Sequence, residues 1–188
     1  MKTVEIYDNI VPGFYQEIIK KEIISPNFPW FYNPTNVLTN ENAWADPTID
    51  YPDQFTHPVL WDNMPSDREA FNVINPILLF FQKETNIVIK DVFRIKLNLL
   101  VQHNNPPTNP AHTDNTRSDV KTLLYYIDDS DGDTVLYNQF FGDSFPLTEY
   151  KRVIPKQGRL VLFNATQWHA STNPTNNKVR SIININFI

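Results

Sequence analysis

The second half of the chain consists of short runs of β-forming residues separated by turns, with no helical pattern between them. The first run covers residues 92–101. The later runs cover residues 122–127, 134–137, 152–154, 159–163 and 179–187. Residues 128–134 contain an Asp-Gly turn that we expect to form a solvated hairpin. Strands that follow one another without helices favour antiparallel pairing, so this half predicts a sandwich or barrel.

Residues 1–90 contain the helical patterns. Residues 4–7 predict a short strand, Pro12 begins one helix, and Ser66–Glu69 begin a second as a capping box. The apolar residues at helical spacing are Phe14, Ile18, Ile19 and Ile23 in the first helix and Phe71, Ile74, Leu78 and Phe81 in the second. We expect the helices to cover one sheet of a β core at residues 91–188, so that residues 1–188 form a single domain.

Residues 25–65 are rich in proline, with seven prolines in that stretch. Proline lacks the backbone N–H that helices and central strands require. The stretch therefore predicts a long, packed loop without regular elements. Its aromatic residues are expected to anchor it, and they are Trp30, Phe31, Trp44 and Trp61.

Composition excludes several classes of site. The chain has no cysteine, so it has no disulfide, thiolate zinc site, iron–sulfur cluster or cysteine nucleophile. Its 4 glycines form no GxGxxG or Walker-type phosphate loop. The formal net charge of −5 argues against broad binding to nucleic acid or anionic membranes. With no apolar leader and no run long enough to span a bilayer, we expect a cytoplasmic protein.

The segment His112-Thr113-Asp114 is the first candidate for chemistry. Side chains at i and i+2 of an extended segment point the same way, so both can face the inside of a barrel. His169 follows a later apolar strand and could join them. Two imidazoles and one carboxylate are the ligand set of non-haem Fe(II) oxygenases. The alternative is a polar loop in which His112 bonds to the backbone near prolines.

Arg180 begins the apolar strand at residues 179–187. A buried guanidinium needs a partner, and it can hold a carboxylate through two parallel hydrogen bonds. A surface arginine at a strand end is the alternative. Tyr125 and Tyr126 point to opposite faces of their strand, so one of them faces inward, either as a core aromatic or as part of a carboxylate site.

The order and context of these residues resemble the Fe(II)/2-oxoglutarate-dependent dioxygenases, on the prolyl 4-hydroxylase side. The resemblance covers roughly residues 91–188. It rests on His112-x-Asp114, on "TLLYYID", on "GRLVLFNATQWHAST" around His169, and on "KVRSIININF" around Arg180. The compact, Asn-rich form is also similar to oxygenases that bacteriophages encode, which would place the protein in the cytoplasm of a host cell.

The resemblance implies a double-stranded β-helix, or jelly roll, with flanking helices. It implies Fe(II) held by His112, Asp114 and His169, and 2-oxoglutarate gripped by Arg180. Tyr126 would assist at the same carboxylate, with Asn98 and Gln102 lining the pocket. Some relatives carry a hydroxyl residue two positions after the arginine, where this chain has Ile182, and the neighbouring Ser181 would face the other way.

The implied reaction converts 2-oxoglutarate and O2 to succinate and CO2 while a C–H bond of a prime substrate is hydroxylated. That substrate is a prolyl residue of a peptide or protein, or a small molecule, and ascorbate is a candidate reductant. Two alternatives are a non-catalytic jelly roll that binds a ligand or metal, and a structural or virion protein with an incidental metal. A binding module has no chemical need for all four of His112, Asp114, His169 and Arg180, and a structural protein predicts no affinity for 2-oxoglutarate.

Other polar residues have simpler interpretations. His103 lies in a proline-rich loop, which is a poor support for a ligand, and His57 is expected to be structural or to line a pocket. Residues 128–134 do not fit the EF-hand calcium pattern. The basic cluster at residues 151–159 predicts a solvated strand face, with guidance of an anionic substrate as the alternative.

Overall fold

The computed structural model describes residues 4–34 and 42–188. Residues 35–41, which belong to the predicted packed loop, lie outside the described residues. The helices are α1 (Gly13–Ile23) and α2 (Arg68–Thr85). The strands of the first half are β1 (Glu5–Tyr7), β2 (Phe31–Asn33), β3 (Ala43–Trp44), β4 (Gln54–Trp61) and β5 (Met64–Pro65). Those of the second half are β6 (Val92–Val101), β7 (Ala111–His112), β8 (Lys121–Tyr126), β9 (Thr134–Phe140), β10 (Glu149–Val153), β11 (Leu160–Asn164), β12 (Gln167–Ser171) and β13 (Val179–Phe187).

The strands form two antiparallel sheets. The larger sheet has the order β1-β11-β8-β13-β6-β4-β2, with β5 beside β4. The smaller sheet has the order β10-β9-β12-β7-β3. An inner core between the sheets joins Tyr126, Phe163 and Ile182 of the larger sheet to Leu136 and Val153 of the smaller one. The smaller sheet carries the histidines and the larger one carries Arg180, so the inner core region also holds the candidate site.

Strand β13 is the central strand of the larger sheet and pairs with β8 on one side and β6 on the other. Because side chains alternate along a strand, its isoleucines at 183 and 185 join an outer core against the helices. The inward positions of the same strand carry Arg180, Ile182 and Asn184. This alternation separates the apolar packing from the polar site on a single strand.

The same alternation distinguishes the two tyrosines of β8. Both are fully buried. Tyr125 packs in the outer core beneath the helices, whereas Tyr126 packs between the sheets. Tyr126 is therefore the tyrosine on the same side of the sheet as the histidines.

The prediction that residues 25–65 lack regular elements is wrong. Strand β4 pairs with β6 over its length, although it contains Pro58. The ladder has a bulge directly after this proline, and β2 pairs with β4 only at residues 54–56. Proline is tolerated there because it lies at a bulge and beyond the end of the second neighbouring strand.

The predicted aromatic anchors are mostly at the surface. Phe31, Trp44 and Trp61 are exposed, and Trp30 alone of the four packs against the outer core. The backbone pairing of β4 with β6, rather than aromatic burial, holds this segment to the body of the protein.

Both predicted helices are present. Asp67, rather than Ser66, caps α2, because its side chain accepts a hydrogen bond from the Ala70 N–H. Of the four apolar residues at helical spacing in α1, Ile19 and Ile23 are buried, whereas Phe14 and Ile18 are exposed. Neither helix of the described chain has the length and apolarity that a membrane crossing requires.

The predicted hairpin at residues 128–134 is also wrong. Strand β8 belongs to the larger sheet and β9 to the smaller one, so residues 127–133 cross between sheets. Asp131 fixes this crossing to the loop before β13. Its carboxylate accepts hydrogen bonds from the backbone N–H groups of Thr175, Asn176 and Asn177. The acidic segment is a structural tie between two loops.

Candidate metal centre

The two histidines face each other across a pair of short strands. His112 lies on β7 and His169 on β12, and they are directly opposite each other in the register. Their ring centroids are 4.4 Å apart. Asp114 lies two residues beyond His112 and points the same way, with one oxygen 3.6 Å from His169 Nε2. One ligand atom from each residue lies within 4.8 Å of the others, which is a spacing that could hold a metal ion.

The backbone sets the orientation of both imidazoles. The Nδ1 atom of His112 lies 3.3 Å from the Pro110 carbonyl, and that of His169 lies 3.0 Å from the Gln167 carbonyl. A carbonyl only accepts hydrogen bonds, so each Nδ1 carries the proton. The Nε2 atoms then present lone pairs, as metal-binding histidines do. Burial lowers the pKa of His112 to about 3, which keeps its ring neutral.

Three neighbours hold the Asp114 carboxylate. It accepts hydrogen bonds from Thr122 Oγ1 at 2.7 Å, from Asn184 Nδ2 and from Arg94 Nη1 at 3.1 Å. Its side chain is 1% exposed. Burial alone would raise the pKa of Asp114, but nearby groups, among them the Arg94 guanidinium and the hydrogen bond from Thr122, outweigh burial and hold that pKa well below its usual range. The carboxylate is thus charged and fixed in orientation.

These supporting residues were not predicted from the sequence. A signal for them exists, because polar residues alternate with apolar ones in two strands that are otherwise apolar. The segment "FRIKLNLL" of β6 places Arg94, Lys96 and Asn98 on its inward face, and "SIININF" of β13 places Asn184 and Asn186 there. A polar residue at every second position of a buried strand indicates a polar interior.

Arg180 is buried, with 2% of its surface exposed. Its Nε donates to the Gly132 carbonyl at 2.8 Å and its Nη2 to Thr134 Oγ1 at 2.6 Å. A Cβ at position 132 would lie 2.9 Å from the Arg180 side chain and 2.5 Å from the Thr172 carbonyl, so glycine is needed there. The prediction that Arg180 is buried and faces inward agrees with this environment.

Tyr126 and Thr134 complete the surroundings of Arg180. The guanidinium carbon lies 5.8 Å from the centre of the Tyr126 ring. The Tyr126 hydroxyl donates to Thr134 Oγ1 at 2.7 Å, and burial raises the pKa of that tyrosine. Ile182 takes the position where some relatives carry a hydroxyl, and Thr134 brings a hydroxyl to the guanidinium from the opposite sheet. Thr134 was not identified from the sequence.

A cavity of about 80 Å³ connects the metal-ligand set to Arg180. Its lining includes Asn98, Lys96 and Thr134. A second cavity, of about 340 Å³, lies against the same ligands from another direction and is lined by Trp61, Phe93 and Arg94 among others. The prediction that Gln102 lines the pocket is wrong. Strand β6 ends at Val101, and the Gln102 side chain donates instead to the Thr175 carbonyl.

The two other histidines and the basic cluster at residues 151–159 lie away from both cavities. His57 is a buried structural residue whose ring nitrogens contact the Pro29 carbonyl and Asp67. His103 is exposed beyond the end of β6. In the basic cluster, Arg152 pairs with Glu149 and Arg159 pairs with Asp8. These ion pairs favour the solvated-face interpretation over guidance of a substrate.

Comparison with known proteins gives the family of the second half. Residues 100–188 match the 2OG-Fe(II) oxygenase superfamily. This stretch includes His112, Asp114, His169 and Arg180. No curated protein sequence matches the chain significantly.

Solved structures with similar folds cover nearly the whole chain. A 2OG-Fe(II) oxygenase family oxidoreductase from Burkholderia pseudomallei has a TM-score of 0.64 and 12% identity, covering 98% of this chain and 84% of that one. A Trichoplax adhaerens prolyl hydroxylase, solved with a hypoxia inducible factor peptide fragment, has a TM-score of 0.61 and 15% identity, covering 100% and 84%. A Pseudomonas putida prolyl-4-hydroxylase has a TM-score of 0.56 and 12% identity, covering 100% and 93%.

These similarities confirm the predicted fold class, a mainly β jelly roll with flanking helices. The superfamily match and the His-x-Asp…His set identify residues 100–188 as a 2OG-Fe(II) oxygenase domain. Residues 100–188 thus carry an enzyme domain of this superfamily, and the superfamily implies Fe(II) with 2-oxoglutarate and O2 as co-substrates.

Proposed function

We propose that this chain is a hydroxylase that binds Fe(II) through His112, Asp114 and His169. The observation that carries the proposal is the meeting of these three donors with Arg180 across one small cavity. Two imidazoles and one carboxylate leave coordination positions free for a co-substrate and O2. The two Nε2 lone pairs, which face inward without a proton, fit a divalent cation.

The protein groups have separate tasks in this proposal. The Pro110 and Gln167 carbonyls keep each imidazole in the ligand tautomer, and Asn184 and Thr122 keep the carboxylate oriented toward the imidazoles. The iron, when bound, supplies the oxidative decarboxylation of 2-oxoglutarate and the oxidation of the substrate C–H bond. Enclosure between two sheets limits the access of water to these groups.

Arg180 binds the far carboxylate of 2-oxoglutarate in this proposal. Thr134 and Tyr126 hold the guanidinium, and they offer hydroxyl groups beside it. Asn98 lines the same cavity and is a candidate for contact with the bound co-substrate. A buried guanidinium without a carboxylate partner among the described residues is suited to an anion that arrives from outside.

The prime substrate is a prolyl residue of a peptide or protein, or a free amino acid or another small molecule. The fold similarity to prolyl hydroxylases, one of them solved with a peptide, supports this choice. We further propose that residues 1–188 act as one domain, with ascorbate as an accessory reductant and with a phage as the source. The single domain is supported by the outer core that both halves share, and the other two points follow from the family resemblance.

An anaerobic titration tests the proposal. Fe(II) and then 2-oxoglutarate are added to the purified protein, and the visible charge-transfer absorption of the iron–2-oxoacid pair is recorded. The band is expected, and admitting O2 is expected to release succinate slowly. A folded, metal-loaded protein that gives neither the band nor succinate would contradict the hydroxylase. A band without any succinate would indicate a binding module.

A further inference from the structure

The smaller cavity is more cationic than the proposed co-substrate requires. Arg94, Lys96 and Arg180 line the smaller cavity, and Asp114 is the one carboxylate among its described lining residues. Arg94 pairs with Asp114, and Arg180 is assigned to 2-oxoglutarate. Lys96 makes no hydrogen bond or ion pair with any residue in the described ranges, although its side chain is largely enclosed.

The position of Lys96 along the strand separates it from Arg180. Lys96 lies opposite Asn184 of β13, and Asn184 contacts Asp114. Arg180 lies opposite Leu100, four residues farther along β6. At the rise of an extended strand, that separation is about 13 Å. Lys96 therefore lies at the metal end of the cavity, away from the group that would hold the far carboxylate.

Arg94 extends the cationic wall into the larger cavity. Its Nη1 donates to Asp114 and to Asn186, whereas its buried Nε has no hydrogen-bond partner in the described structure. The guanidinium lies 5.8 Å from the ring of the exposed Trp61, which also lines the larger cavity. The larger cavity thus offers an aromatic surface beside a guanidinium whose Nε has no hydrogen-bond partner in the described structure.

The charge balance indicates what this region lacks. Near the metal ligands, the positive charges would be a divalent cation, Arg94 and Lys96. The negative charges would be the Asp114 carboxylate and the chelating carboxylate of 2-oxoglutarate. Positive charge therefore exceeds negative charge in a site that little water reaches. Buried cations are stabilised by an anionic partner. Lys96 and Arg94, which carry this surplus, line the smaller cavity together with the metal ligands.

We propose, on the basis of the hydroxylase function above, that the prime substrate carries a carboxylate near the hydroxylated carbon and that Lys96, assisted by Arg94, binds it. A free imino or amino acid, or another small carboxylic acid, fits this description. The interior prolyl residue of a peptide does not, because its carbonyl group is a neutral amide. The site thus selects a small acid through its charge, and Trp61 offers an aromatic surface for the apolar part of that acid.

The test compares acids with their amides. The anaerobic protein loaded with Fe(II) and 2-oxoglutarate is titrated with L-proline and L-prolinamide, N-acetyl-L-proline and its amide, and cyclopentanecarboxylate and its amide. Binding is read from the perturbation of the charge-transfer band and from calorimetry. At least one acid is expected to bind about tenfold or more tightly than its amide. Failure of every acid to exceed its amide overturns the proposal.

Three variants locate the effect. Lys96→Met is expected to abolish the preference for the acid, and Lys96→Arg to retain most of it. Lys83→Met is the matched control, because Lys83 lies on α2 with its side chain 79% exposed, and it should behave as the wild type. An acid preference that survives Lys96→Met moves the carboxylate site elsewhere.

The affinity for 2-oxoglutarate separates this inference from the function on which it rests. Lys96→Met is expected to change that affinity by less than about twofold, since Arg180 holds the co-substrate. A loss of tenfold or more would make Lys96 a 2-oxoglutarate ligand and would overturn the inference while leaving the hydroxylase intact. Absence of the band in the wild-type protein would contradict the hydroxylase itself, and the inference with it.

Discussion

At the residue scale, the candidate centre depends on which nitrogen of each imidazole is protonated. The backbone carbonyls of Pro110 and Gln167 fix the proton on Nδ1, and this makes both rings donors of an Nε2 lone pair toward Asp114. The ligand set is therefore organised by contacts that lie within two residues of each histidine. Local contacts of this kind do not depend on the bound metal.

His169→Ala is expected to abolish Fe(II) binding and turnover together, because one of three ligands is removed. Fe(II) affinity is measured by anaerobic titration and turnover by succinate release. His103→Ala is the matched control, since His103 is exposed beyond β6 and should leave both unchanged. Full activity in His169→Ala would remove this residue from the ligand set.

Arg180→Ala is expected to retain Fe(II) but to weaken 2-oxoglutarate binding by about 10- to 100-fold, the loss of charge-assisted hydrogen bonds. Arg180→Lys keeps the charge, and its affinity for 2-oxoglutarate should lie between those of the wild type and Arg180→Ala. The affinity is measured by titration of the charge-transfer band, and a thermal melt verifies that each variant is folded. An unchanged affinity for 2-oxoglutarate would place its carboxylate elsewhere.

The four principal site residues could be predicted from the sequence, because each carries a local signal. His112 and Asp114 are two apart, His169 follows an apolar strand, and Arg180 begins one. The supporting residues could not be predicted as a group. Asn184 reaches Asp114 across 70 positions of sequence, and Thr134 reaches Arg180 across 46, so their contacts exist only once the strands pair.

At the element scale, the strands of the second half could be predicted and several connections could not. Strands β6 and β13 have the predicted bounds because their alternation is long. Strand β4 was missed because the tolerance of Pro58 depends on its neighbours in the sheet. Strand β7 has only two residues, too few for any periodic pattern, yet it carries His112.

The tie between residues 127–133 and the loop before β13 gives a prediction about stability. Asp131→Asn is expected to lower the free energy of unfolding by about 1–2 kcal/mol at pH 7, because several backbone donors lose a charged acceptor. Urea denaturation measures this difference. Fe(II) affinity, measured on the folded variant, should stay close to that of the wild type.

The difference in the free energy of unfolding between the wild type and Asp131→Asn should depend on pH. Burial raises the pKa of Asp131, but the hydrogen bonds from Thr175, Asn177 and Asn176 outweigh burial and hold that pKa well below 3.8. The folded protein therefore binds fewer protons than the unfolded chain at acidic pH, and the stabilisation disappears as the pH falls below about 4. A difference between the wild type and Asp131→Asn that stays constant from pH 7 to pH 3 would contradict this origin.

At the scale of the whole molecule, the two halves share one core. Residues of α1, α2 and β4 pack in the outer core with residues of β6, β8 and β13. A fragment of residues 91–188 would leave that face of the larger sheet open to water. This arrangement favours the single domain that the sequence predicts, although composition alone could not decide between a shared core and a separate cap.

The fragment of residues 91–188 is expected not to fold by itself, because it loses both β4 and the helices that cover its larger sheet. Far-UV circular dichroism and sedimentation of the purified fragment test this expectation, with the full chain as the control. Adding residues 1–90 as a separate chain should restore folded material. A monomeric fragment with a cooperative unfolding transition would show instead that the second half is an independent domain.

The pairing of His112 with His169 across β7 and β12 has a consequence for how such a chain can change. The distance between the two imidazoles is set by strand register and not by the length of chain between them. The number of residues in the loops between β7 and β12 therefore does not by itself set this distance. A one-residue slip of β12 against β7 would instead turn His169 to the opposite face. The candidate metal centre thus depends on the register of two short strands and not on the length of the chain that connects them.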